Sequence, residues 1–186
     1  KELRQTWDLF LVPQGLTGEG GEEAALSQLL AEICRRLAAD PPVPCHRDYM
    51  SRNLMPLHGE PEPRVAVLDH QDLRLGPPAY DLASLLNDTL FPTPEVEEAL
   101  LSAWAKTEEE RLRYHRAAAQ RTLKAVGTYA AFAQRGATRH LPLIPRTLGR
   151  CLGHLERLPE AEALHPLLSH LWLPALEPPA AGSLLH

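Results

Sequence analysis

The chain has 186 residues, 44% of them hydrophobic, and a formal net charge of −5 at pH 7, which suits one domain with a substantial core and offers no basic stripe to a nucleic-acid partner. Three scattered cysteines, Cys34, Cys45 and Cys151, make neither a disulfide framework nor a zinc site and fit a reducing cytoplasm. No apolar run reaches membrane-spanning length and the first residues are charged, so no membrane association is expected.

In chain order, Trp7 to Val12 is a short apolar stretch ended by Pro13. The segment Gly15 to Gly21 lacks both a Lys-Ser/Thr ending and a G-x-G-x-x-G register, so a helix-entry loop is favoured over a phosphate cradle. From Glu22 to Ala39 the spacing of Leu26, Leu29, Leu30, Ile33 and Leu37 predicts a helix, stopped by Asp40-Pro41-Pro42. Val43 to His46 and Leu54 to Leu57 read as strands. A breaker-rich turn, His58 to Pro63, leads to Val65 to Leu68, which reads as a buried strand. Gly76-Pro77-Pro78 is a turn, and Tyr80 begins a buried helix. Thr93-Pro94 and the capping box Thr107 to Glu110 open further helices. The second of these carries Leu112, Ala119, Leu123, Val126, Ala130 and Ala133 on one side. Pro145 to Leu158 and Glu160 to Trp172 are predicted as two more helices. The whole is α+β, mostly helical, with a small β-hairpin region; residues 1–173 form one lobe, and the Pro- and Ala-rich tail 174–186 is expected to be disordered.

The stretch with chemical content is His46-Arg47-Asp48, followed by Asn53 and then by an apolar strand ending in Asp69. That is the H-R-D-x-x-x-x-N pattern of a kinase catalytic loop. Asp48 would sit beside an acceptor hydroxyl, Asn53 would offer an amide oxygen to magnesium, and Asp69 would complete the metal site. Magnesium needs few protein ligands, because phosphate oxygens and water fill the rest of its shell.

The wording around this loop resembles the C-terminal lobe of the aminoglycoside phosphotransferase (APH) superfamily. Within it, His46-Arg-Asp-Tyr-x-Ser-Arg-Asn-Leu-Met, Val67-Leu-Asp-x-Gln-Asp, Gly76-Pro-x-x-Tyr-Asp-Leu and Gln120-Arg121-x-Leu-Lys124-x-x-Gly127 are similar to the bacterial anomeric kinases for N-acetylmuramate and N-acetylglucosamine of cell-wall recycling. The resemblance implies a protein-kinase-like lobe in which Asp48 is the catalytic base and Asn53 and Asp69 hold Mg2+, with ATP as co-substrate and an amino sugar or other alcohol as acceptor. It further implies that His46, Arg47 and Asp81 support the loop. An acid satisfying helix N-terminal amides is the alternative for Asp81. Gln71, Asp72 and Arg121 are candidate substrate contacts; Arg121 and Lys124 read equally well as a solvated face.

Two departures stand out. His70 occupies a position where that branch usually has an aromatic residue. The lysines are Lys1, Lys106 and Lys124, none in a predicted strand, so the strand-borne lysine that grips the nucleotide phosphates has no counterpart. The chain also opens on Lys1 without an initiator Met. It therefore reads as the acceptor and metal half of a longer kinase whose N-terminal lobe lies elsewhere, and it is expected to be inactive alone. Competing readings are an aminoglycoside or other small-alcohol kinase, a pseudokinase fragment, and a hydrolase with metals held by His46, Asp48, Asp69, His70 and Asp72.

Overall fold

The computed structural model describes residues 2–59 and 64–177. Helix α1 (Glu2–Thr6) runs into a π-helical turn, Trp7–Leu11, and is followed by α2 (Gly21–Ala39). The strands β1 (Val43–Cys45), β2 (Leu54–Leu57), β3 (Arg64–Val67) and β4 (Arg74–Gly76) come next. Helices α3 (Tyr80–Leu86), α4 (Pro94–Trp104), α5 (Glu108–Gln134), α6 (Ile144–Leu155), α7 (His165–Leu171) and α8 (Leu173–Leu176) complete the order. This is the mostly helical α+β class expected from the sequence.

Helix α5 is the spine. The Thr107 hydroxyl accepts from the Glu110 N–H at 3.2 Å and the Glu110 carboxylate accepts from the Thr107 N–H at 2.9 Å, closing the predicted capping box. Tyr114, Ala117, Ala118, Ala119, Leu123, Val126, Ala130 and Ala133 of α5 are buried, and α1, α2, α3 and α6 pack around them. The small residues let neighbouring backbones come close. Gly127 is the extreme case: a Cβ there would stand 2.7 Å from the Thr6 Cα and N. Bare backbone at Gly127 is what lets α1 cross, and the crossing is fastened by the Thr6 hydroxyl donating to the Leu123 carbonyl at 2.7 Å.

The predicted face of α2 is the buried one: Leu26, Leu29, Leu30, Ile33 and Leu37 all enter the core. Gly15 to Gly20 form the entry to that helix. The Glu22 carboxylate accepts from the Glu19 N–H at 3.3 Å, so an acidic group covers the loop where a cradle would need an anion.

Several expectations are corrected. The strands form two antiparallel pairs, β2 with β3 and β1 with β4, and β4 had no counterpart in the sequence reading. The apolar run Val65 to Leu68 is a strand, as expected, but it is not buried: Val65 is 55% and Leu68 43% exposed. On the partner strand Met55 and Leu57 are exposed too, because among the described residues no layer covers them. Glu160 to Trp172 is interrupted: Pro159–Ala161 is a 3-10 turn and α7 starts only at His165, with Pro166 in its first turn. The head of the tail is ordered as α8, whose Leu176 packs on the core; its remainder, 178–186, lies outside the described residues.

Candidate active site

Two sharp turns build the site. After β1 the chain reverses through His46 and Arg47, and Arg47 takes the left-handed conformation at φ 72°. After β3 it reverses again at Asp69, also left-handed at φ 70°. A left-handed conformation at a residue with a Cβ costs about 1–3 kcal/mol, so each turn must be held by its surroundings.

The first turn is held by Asp81. Its Oδ2 accepts from the His46 N–H at 2.7 Å and its Oδ1 from the Arg47 N–H at 2.9 Å. Both carboxylate oxygens of this first-turn residue of α3 point back at the loop. The buried His46 supports the second turn: its Nε2 lies 2.8 Å from the Leu68 carbonyl, beside Asp69. A carbonyl only accepts, so Nε2 carries the proton. The buried Nδ1 has no hydrogen-bond partner among the described residues. His70 meets the His46 ring edge-on, with centroids 5.2 Å apart, so this departure from the aromatic pattern keeps a ring contact.

Asn53 ties the loop internally. Its Nδ2 donates to the Asp48 carbonyl at 2.8 Å, and its own carbonyl accepts from the Leu68 N–H at 2.9 Å, stitching the two turns together. With Nδ2 committed to Asp48, the Asn53 Oδ1 remains as a hard oxygen donor. Asp69 adds a carboxylate at an exposed corner. Two oxygen donors without His or Cys suit magnesium rather than zinc or iron. Asp48 is half-buried in the same loop, five residues before Asn53.

The remaining predicted residues divide. Gln71 and Asp72 lie on the 3-10 turn His70–Asp72 beside the site. Asp72 is engaged by two cations, Arg74 Nη2 at 3.2 Å and Arg47 Nη1 at 3.8 Å. Arg121, half-buried on α5, and Arg52 of the loop act on the same phenol: burial pushes the Tyr129 hydroxyl up, Asp88 adds to the rise, and Arg121 and Arg52 oppose it. Lys124 leaves the solvated face and bonds the Tyr80 hydroxyl at 3.1 Å. The two-metal hydrolase arrangement is not assembled. His46 Nε2 is taken by Leu68, and among the described residues no group of three or more His, Cys, Asp and Glu is placed to hold a metal.

The sequence reading missed a buried polar network between α3, α4, α5 and α6. Arg150 donates to the Asn87 Oδ1 at 2.9 Å and to Glu97 at 2.6 Å, while Tyr114 donates to Glu97 at 2.8 Å. The acids Glu97, Glu98, Glu109 and Glu110 near this end of α5 all have partners: Arg150, Arg111, Arg116 and the cap of α5, respectively.

The family model described as the phosphotransferase enzyme family (APH) matches residues 2–118. A Pseudomonas putida protein named N-acetylmuramate/N-acetylglucosamine kinase is 32% identical, over 84% of this chain and 49% of its own length. Its namesake from Pseudomonas aeruginosa is 33% identical over 92% of this chain and 54% of its own length. Another from Neisseria meningitidis is 35% identical over 73% of this chain and 43% of its own length. The chain thus spans about half the length of these curated relatives. Among the described residues no helix is long and apolar enough to cross a membrane.

Proposed function

The chain belongs to the phosphotransferase enzyme family, and from that premise we propose that it is the acceptor- and metal-binding lobe of a cytoplasmic, ATP-dependent kinase acting on the anomeric hydroxyl of an N-acetylated amino sugar. The observation that carries the reading is the bracing of residues 46–53. Asp81 grips the backbone of His46 and Arg47, and Asn53 turns its amide nitrogen onto the Asp48 carbonyl. Such bracing pre-sets a base and an oxygen donor, and most of the catalysis in phosphoryl transfer is positioning.

In this reading Asp48 accepts the proton of the acceptor hydroxyl as that oxygen attacks the terminal phosphoryl group. An anomeric hydroxyl is more acidic than an ordinary alcohol, so an ordinary carboxylate serves as base. Asn53 Oδ1 and the Asp69 carboxylate would hold magnesium. The ion supplies neutralisation of phosphate charge when bound. Asp72 and Gln71 present a polar edge to the acceptor, and Arg121 lies with Arg52 on the α5 side.

The choice of a neutral acetylated sugar over a polycationic aminoglycoside is supported by the acids of α4 and α5. Glu97, Glu98, Glu109 and Glu110 are committed to arginines or to a helix cap rather than left as unpaired charges for a polycationic acceptor. The relatives' shared name supports it as well. Met55 and Leu57 on one side of the β2–β3 hairpin and Val65 on the other are exposed, and this hairpin is where a nucleotide-clamping N-terminal lobe would pack. Of the lysines in the described part, Lys106 lies between α4 and α5 and Lys124 within α5, so the phosphate-gripping lysine falls to that other lobe. This chain alone is accordingly expected to lack turnover.

The test uses the full-length protein with magnesium and ATP, a panel of amino sugars and a panel of aminoglycosides, with the phosphate located by 31P NMR. A sugar 1-phosphate is expected. Phosphate on an antibiotic hydroxyl, with no sugar 1-phosphate formed, overturns the assignment.

A further inference from the structure

A cavity of about 710 Å³ opens between α4, the start of α5 and α6, within the range of small-molecule sites. None of residues 46–72 lines it. Arg52 of the catalytic loop acts on Tyr129 of α5, whereas the cavity meets that helix at Arg111 and His115. The rise from His115 to Tyr129 along the helix separates the two places by roughly 20 Å. Nothing in the proposed phosphoryl transfer uses this cavity.

Its walls are unusually cationic. Arg111, Arg146, Arg150 and Arg157 face it, against Glu97 and Glu98. Arg111 is paired with Glu98 at 2.7 Å and Arg150 with Glu97 at 2.6 Å. Arg146 stacks over the Phe91 ring, 4.5 Å from its centroid; Arg157 acts on Glu98 at longer range, whose close partner is Arg111, so four guanidinium groups face two carboxylates. Two positive charges are therefore left over. Arg146, Arg150 and His154 recur at intervals that keep them on one side of α6, and Arg157 follows just past its end. The wall between them is bare at Gly149 and Gly153: a Cβ at Gly153 would meet nothing within 4 Å.

The polar network behind the cavity fixes a proton. Arg150 can only donate, and it reaches Asn87 Oδ1 from Nε at 3.1 Å and Nη2 at 2.9 Å, which settles which end of the amide is oxygen. His154 Nε2 lies 2.9 Å from that same oxygen and so carries a hydrogen. Neutral His154 then has a lone pair on Nδ1, and His115 Nδ1, 3.1 Å away, must donate to it. His115 is left with a bare Nε2. Both rings are held neutral: burial pushes His115 down to about 4, with Arg157 opposing its charged form, Glu97 favouring it, and Arg111 and Arg150 opposing it. Burial likewise keeps His154 far below the usual histidine range, helped by Arg150, His115 and Arg157.

We infer that this cavity is a binding site for a phosphate monoester, with the Arg146 and Arg157 guanidinium groups taking the phosphoryl oxygens and the bare His115 Nε2 accepting the phosphoryl O–H. Guanidinium forks suit phosphate oxygens. The lone-pair nitrogen separates phosphate from other anions. A phosphomonoester, with a second pKa near 6, retains a hydrogen to donate in part of its population at neutral pH. A carboxylate or a sulfate has none. The inference is independent of the acceptor assigned above and of Asp48.

The test is NMR titration of this chain, with the histidine rings labelled with 15N, using inorganic phosphate, glycerol 3-phosphate and sulfate at pH 7. Saturable shifts at His115 are expected with both phosphates, together with an upward move of its titration. Sulfate should bind several-fold more weakly. The variant Arg146→Gln/Arg157→Gln, checked for fold by circular dichroism, should bind phosphate about tenfold or more weakly. An unmoved His115, equal affinity for sulfate and phosphate, or unchanged binding by the double variant overturns the proposal.

Discussion

Replacing Asp81 with Asn isolates what holds the catalytic loop. In the folded chain its two oxygens accept from the His46 and Arg47 amides at 2.7 and 2.9 Å. Each bond to a charged acceptor contributes about 1.5–3 kcal/mol. Asparagine keeps one neutral acceptor and turns an NH2 group toward the other amide, so one bond weakens and one is lost outright. The left-handed turn at Arg47 then loses half its restraint. The combined effect is about 2–4 kcal/mol on loop closure, or roughly a 30- to 1,000-fold rise in amide exchange at His46 and Arg47. Hydrogen exchange followed by NMR measures both sites directly, with the α5 amides of Leu123 and Val126 as internal controls. If Asp81 served only the free amides of its own helix, the change would appear instead at the first turn of α3. Wild-type protection at His46 and Arg47 in Asp81→Asn would refute the bracing argument.

Other outcomes follow from the same geometry. In the full-length enzyme, Asp48→Asn should lower kcat about 10²- to 10⁴-fold with little change in nucleotide affinity, and near-normal turnover would remove Asp48 from the chemistry. Gly127→Ala should destabilise by about 1–3 kcal/mol in urea denaturation, because its methyl would strike the backbone of Thr6, whereas Gly153→Ala, with open space, should stabilise by about 0.5–1 kcal/mol. The neutral His115 and His154 make stability depend on pH. Their folded pKa values lie below the unfolded 6.5, so the unfolded chain binds more protons as pH falls, and stability is lost from about pH 6.5 downward. For His115, lowered to about 4, the linked loss approaches about 3 kcal/mol by that pH. Urea midpoints at pH 7 and pH 5 test this, since equal midpoints would contradict neutral burial. Glu32 and Glu98, held near 2 chiefly by hydrogen bonds from Arg35 and Arg111, change charge only below that interval.

What the sequence revealed was local. The apolar face of α2 was legible because one helix fixes the spacing of Leu26, Leu30, Ile33 and Leu37, and the capping box because Thr107 and Glu110 lie within one turn. The catalytic stretch was legible because loop chemistry imposes the interval from Asp48 to Asn53. The rest depended on partners distant in sequence. Strand β4 is three residues long and exists only through pairing with β1, 31 residues away at the central Pro44–Leu75 pair. The burial of Val65 to Leu68 was misread because an apolar run reports what a strand is suited to meet, not whether this chain supplies it. The pairing of the α4 acids was not legible either, because the arginine partners of Glu98 and Glu97 come from α5 and α6. The His115–His154 contact needed the packing register of two helices, which no single-helix pattern contains.

The indole of Trp172, fully buried, donates to the Leu16 carbonyl at 2.9 Å across 156 residues of chain. That one bond sets a schedule for synthesis. A ribosome adding about 5–20 residues per second needs roughly 8–30 s between making Leu16 and making its partner. Throughout that interval the apolar side chains of Phe10, Leu11 and Leu16 lack part of their final cover. The helices later in the chain therefore arrive as the closure for its beginning, and folding of this lobe is a late, largely post-assembly event rather than a progressive one.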